Sequence, residues 1–87
     1  MDKRTIDIFV AKIIYHCGIR KPFEIIQYSD SEIKIRIPKE KKEYTVKVWK
    51  IDDRGLDFTL YNDNQEEIID ERYYFSTCRF YKRRNKK

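Results

Sequence analysis

Six of the nine residues in 79–87 are cations: Arg79, Lys82, Arg83, Arg84, Lys86 and Lys87, with no acid among them. That segment carries +6, whereas the other 14 basic residues, within 1–78, face all 15 acids of the chain and leave −1. The net charge of +5 is therefore local. Such a run neutralises backbone phosphates and releases counterions, so it binds in a salt-sensitive way and positions a nucleic acid without reading its bases. The bland alternative is a solvated end that aids solubility.

A second set of candidates lies in the middle of the chain. Lys34, Arg36, Lys47, Trp49 and Tyr61 occupy the polar positions of segments that alternate polar and apolar residues. On one wet sheet face they would combine cations for phosphates with rings for stacking on bases, the chemistry of single-strand recognition. The same residue types are ordinary on the solvent side of an antiparallel sheet. If Ile37 pairs with Tyr44, then Ile35 meets Val46, Arg36 meets Thr45, Lys34 meets Lys47, and Glu32 meets Trp49. Two opposed lysines would be unfavourable without an anion between them.

Catalytic and metal chemistry have little to draw on. His16 is the only histidine and stands next to Cys17. Neighbours on a helix diverge by about 100°, so they do not form a Cys–His pair. Cys17 and Cys78 form no CxxC, and no zinc spacing, Gly-rich phosphate loop, GxSxG or HExxH occurs. The acids Asp63, Glu66, Glu67, Asp70 and Glu71 match no calcium loop and read as a solvated helix start. No cofactor or metal is expected. One enzymatic class needs neither histidine nor metal: a toxin-type ribonuclease, with Arg72, Tyr74, Arg79 and Tyr81 around the scissile phosphate.

These residues must be placed by elements that the pattern makes legible. Ile6, Phe9, Val10, Ile13, Ile14 and Cys17 form one apolar stripe, predicting an amphipathic helix over 5–17, capped by Thr5 and stopped by Gly18. After Pro22 the period becomes two. Strands are predicted over Phe23–Tyr28, through Ile33, Ile35 and Ile37, through Tyr44, Val46 and Val48, and through Leu56, Phe58 and Leu60. Segment 66–75 has helix-compatible spacing, but the aromatic and β-type residues of 73–81 favour a strand, so a short helix or irregular stretch followed by a strand is expected.

The fold class is therefore α+β: an N-terminal amphipathic helix on an antiparallel β-meander of four to five strands, one domain over 1–81 with a basic tail over 82–87. The interrupted apolar stretch Ile6–Ile19 is neither a signal peptide nor a membrane span, and the cysteine usage suits a reducing, cytoplasmic setting. The leading functional expectation is a non-enzymatic nucleic-acid-binding module, for RNA or DNA, using the sheet face and the tail residues Arg79, Lys82, Arg83 and Arg84. The alternative is a small protein-binding adaptor or inhibitor, of the kind mobile elements carry, that meets an acidic or charge-complementary protein through an exposed Trp49 or Tyr44. A free strand edge would also permit a homodimer.

Overall fold

The computed structural model describes residues 1–83. Helix α1 spans Lys3–His16 and begins earlier than the stripe alone indicates, because Asp2, not Thr5, is the N-cap. The Asp2 carboxylate accepts the Thr5 N–H at 2.8 Å. Hydrogen bonding from the Thr5 side chain, with that from its N–H, holds the carboxyl below the usual carboxylate range. At the other end Gly18 takes φ +67°, the Gly18 N–H donates to Tyr15 O, and the Ile19 N–H donates to Ile14 O. This pair of bonds is a Schellman closure, which requires a left-handed residue where glycine stands.

Six strands follow: β1 Glu24–Tyr28, β2 Glu32–Ile37, β3 Lys42–Ile51, β4 Gly55–Tyr61, β5 Glu67–Tyr74 and β6 Arg79–Lys82. They lie in sequence order in one antiparallel sheet, so the meander is as expected and the strand count is higher than four to five. The additional strand comes from 67–74, where no helix forms. A helix there would leave the second edge of β4 unpaired, whereas β5 pairs along all of β4, from Gly55–Tyr74 to Tyr61–Glu67. Asn62 starts the reversal, its Oδ1 accepting the N–H groups of Asn64 and Glu66 at 2.9 Å.

The β2–β3 register also differs from expectation. Ile37 pairs with Lys42, Ile35 with Tyr44 and Ile33 with Val46, a displacement of two residues. Lys41 adopts φ +54°, so the hairpin closes over Pro38, Lys39, Glu40 and Lys41 alone. A slip of two leaves every side chain on its expected face but changes its neighbour. Lys34 thus faces Thr45, Arg36 faces Glu43, and Lys47 faces Glu32, so the two lysines are not opposed.

One face of the sheet carries the core. Ile6, Phe9, Val10, Ile13 and Ile14 of α1 are fully buried against Ile33, Ile35, Ile37, Val46, Phe58 and Leu60. Val48, Tyr44 and Leu56, on the same alternating positions, belong to this core, as does Tyr73, which the alternation leaves less obvious. Tyr44 is 7% exposed and donates its hydroxyl to Glu40 at 2.8 Å, so it does not form the exposed anchor considered from sequence. Burial and that bond push its phenol up to about 12.

Strands β4 and β5 approach closely where Gly55 pairs with Tyr74. A Cβ on Gly55 would run into the Tyr73 carbonyl oxygen, with the Tyr73 carbonyl carbon at 3.1 Å and Tyr74 Cα at 3.2 Å. All three are backbone atoms, so only strand separation relieves the clash. Gly55→Ala is expected to destabilise the fold by about 1–3 kcal/mol, the range of core overpacking. A urea transition with an unchanged midpoint would contradict this close approach.

Candidate nucleic-acid interface

The open face of the sheet holds most of the residues singled out from sequence, but it is not a track of free cations. Arg36 lies 3.5 Å from Glu43 and 3.8 Å from Glu24. Lys47 sits across from Glu32, and Lys34 from Thr45. Tyr61 is half-buried and pairs with Thr45 on one side and Glu67 on the other. Strand alternation thus interleaves the cations with carboxylates, which weakens any field that would attract phosphate.

Trp49 stands on the same face at a bulge, where the β3–β4 register shifts between Val48 and Lys50. Its indole N–H donates to Thr59 Oγ1 at 2.8 Å, yet the residue is 54% exposed. The bond orients the ring and satisfies the buried hydroxyl, and the bulge holds the ring proud of the sheet.

Arg72 is engaged in the fold. It reaches Asp57 at 2.9 Å and both Asp52 oxygens at 2.8 Å, and its guanidinium lies 4.9 Å from the Tyr74 ring centroid. The bond to Asp57 is the main cause of its upward pKa shift. Asp52 also accepts the N–H groups of Arg54 and Gly55, which hold its carboxyl below the usual range. Arg72 therefore fastens the β3–β4 turn to β5 and is not available to the ribonuclease arrangement expected from sequence. Tyr74 packs edge-on against Tyr81 at 5.5 Å.

The basic segment divides. Arg83 is bound to Asp70 at 2.8 Å, and Arg84, Lys86 and Lys87 lie outside the described residues. Arg79 and Lys82 belong to β6, at one free edge of the sheet. No described ion pair involves Lys12, Arg79 or Lys82.

Alongside β6 runs a groove of about 580 Å³ bounded by α1, lined by Lys12, Tyr15, His16, Cys78, Arg79, Phe80 and Tyr81. No carboxylate belongs to that lining. Tyr15 is 80% exposed and Tyr81 51% exposed. Lys12 and Tyr15 are three residues apart on α1 and lie outside its buried stripe, which places both along the same wall. Sequence reasoning missed them because the stripe says which side of the helix is covered, not which sheet edge its flank will overlook.

His16 closes the groove. Its ring stacks on Phe80, centroids 4.4 Å apart and planes 14° apart, and its Nε2 lies 3.1 Å from Glu71 Oε1. Glu71 pairs across the sheet with Phe58 and Lys82, so the strand reading of 67–74 brings it under the helix C-terminus. Cys17 is adjacent in sequence but has another role: burial, assisted by Glu71, pushes its thiol up to about 11. Cys17 and Cys78 are both free. Alkylation of Cys17 by iodoacetamide at pH 8, followed by peptide mass spectrometry, is expected to run about 100-fold slower in the folded than in the denatured chain.

Among the described residues, no group of three or more His, Cys, Asp or Glu is placed to hold a metal ion, and no helix is long and apolar enough to cross a membrane. Comparison with known proteins finds no family model, curated protein or solved structure that matches the chain.

Proposed function

We propose that the protein is a binding module for single-stranded nucleic acid, held along the α1/β6 edge. The observation that carries this reading is the groove's lining: Lys12 and Arg79 among exposed tyrosines, with no acid. Cations hold phosphates, and Tyr15 and Tyr81 offer faces on which bases stack. Lys82, across from Glu71, follows on the same strand, and the sequence continues with the basic residues Arg84, Lys86 and Lys87. Relative to the expectation from sequence, Arg79 and Lys82 remain contacts, and the sheet-face residues Lys34, Arg36, Lys47 and Tyr61 give way to Lys12 and Tyr15.

Titration of fluorescent single-stranded and duplex oligonucleotides at two salt concentrations tests this. Single strands are expected to bind more tightly, with affinity falling steeply as salt rises. Lys12→Ala and Arg79→Ala are each expected to lower the slope of log K against log salt by about 0.7, the value for one phosphate contact on a single strand. No binding at low salt would end the reading.

Trp49 supports a second reading, a protein-binding adaptor. An exposed indole held in one orientation on a rigid strand is the kind of anchor that dominates protein interfaces. A partner retained from nuclease-treated lysate at moderate salt by the wild type, and lost by Trp49→Ala, would favour it.

A further inference from the structure

We propose that the α1/β6 groove cleaves the RNA it holds, by metal-independent transphosphorylation with His16 as the base. This rests on the groove binding a nucleic-acid strand, and goes beyond it. RNA carries its own nucleophile, the 2′-hydroxyl, next to the phosphorus it attacks. The protein then needs only a placed base, cations around the phosphate and something to hold the strand.

Each requirement has a residue in this groove. The His16 side chain is 40% exposed, whereas the Glu71 side chain that meets it is 13% exposed, so the imidazole is the accessible partner of the pair. A carboxylate only accepts, so Nε2–H donates to Glu71, which in the neutral imidazole leaves the lone pair on Nδ1. The Phe80 ring, stacked 4.4 Å away, fixes the imidazole plane, so two contacts set its orientation before any substrate arrives. Lys12 supplies positive charge in the same groove and Tyr15 a stacking surface, while Arg79 and Tyr81 border it from β6. The set differs from the one drawn from sequence: His16 and Glu71 replace Arg72, which Asp52 and Asp57 hold elsewhere.

The reaction balances without a co-reactant. The 2′-hydroxyl proton passes to His16 Nδ1 as the 2′-oxygen–phosphorus bond forms and the phosphorus–5′-oxygen bond breaks. The proton returns from the imidazolium through water to the departing 5′-oxygen. The products are a 2′,3′-cyclic phosphate and a 5′-hydroxyl. Lys12 stabilises the added negative charge on the phosphoryl oxygens in the transition state. Glu71 is a positioning residue, acting through His16.

A 5′-labelled RNA oligonucleotide incubated with the full chain in EDTA is expected to yield fragments ending in a 2′,3′-cyclic phosphate. The matching DNA and 2′-O-methyl RNA should bind and stay intact. His16→Ala and His16→Gln should each lower kcat by at least about 100-fold, the lower end of general-base contributions. Glu71→Gln should lower kcat at unchanged KM, a split that a purely structural role would not give; circular dichroism confirms that each variant folds. Bound RNA that stays intact on prolonged incubation overturns cleavage and leaves binding standing. Undiminished cleavage by both His16 variants, or cleavage of 2′-O-methyl RNA, overturns it as well. Absence of RNA binding removes both readings.

Discussion

Ile35→Asp is expected to leave the chain unfolded in dilute buffer at room temperature. Ile35 is completely buried in the central part of β2, paired with Ile25 on one side and Tyr44 on the other, with α1 over the same face. The substitution forfeits about 2–3 kcal/mol of apolar burial. It also places a carboxylate where no cation faces it, at a cost of several kcal/mol more, whether the group stays charged or takes up a proton. A chain of 87 residues has roughly 4–13 kcal/mol of stability at 0.05–0.15 kcal/mol per residue, so the two losses together exhaust most or all of it. Far-UV circular dichroism and the loss of a cooperative urea transition read the result. Lys34→Thr, one residue away on the open face, is expected to change stability by no more than about 0.5 kcal/mol. A folded Ile35→Asp protein would mean that β2 turns its other face to the helix.

That pair of variants reports the face of β2, and the face is what the sequence encodes most plainly. Ile33, Ile35 and Ile37 alternate with Lys34 and Arg36, and a period of two needs no tertiary information to interpret. Register is a different quantity. It depends on the hairpin loop, and here the loop closes through a lysine in the left-handed region, Lys41, where glycine or asparagine would have signalled the turn. The slip of two residues was invisible for that reason, and it decides the electrostatics of the open face. It replaces a lysine–lysine opposition by Lys47 across from Glu32 and Arg36 across from Glu43.

The acid cluster misled in a related way. Glu66, Glu67, Asp70 and Glu71 have the composition of a helix start, and local composition does favour that reading. The free edge of β4 overrides it. Once 67–74 is a strand, alternate acids separate: Asp70 turns to the open face to meet Arg83, and Glu71 turns under α1 to meet His16. Neither contact is visible along the chain, because the partners are 13 and 55 residues distant. The candidate groove was equally hidden. Arg79 and Lys82 stood out as charge, but Lys12 and Tyr15 acquire meaning only when the helix is laid beside β6.

Phe9→Ala is expected to cost about 3–5 kcal/mol, the range for truncating a fully buried aromatic side chain. Phe9 is the point at which α1 grips β4 and β5: its ring meets Phe58 edge-on at 5.1 Å and Tyr73 at 4.9 Å. Both of those rings meet Phe80, at 5.8 Å and 5.1 Å, and Phe80 in turn carries the His16 ring. The aromatic cluster therefore runs without a break from the middle of the core to the wall of the groove. A cavity at Phe9 removes packing beneath Phe58 and Tyr73, and the shift of the urea midpoint at constant slope measures the loss. Phe80→Ala should be milder, since Phe80 is only partly buried. It nevertheless takes away the surface on which the imidazole lies. Comparison of the two separates what the cluster does for stability from what it does for the groove: Phe9→Ala moves the midpoint more, and Phe80→Ala moves the position of His16, read from its ring-proton chemical shifts, more.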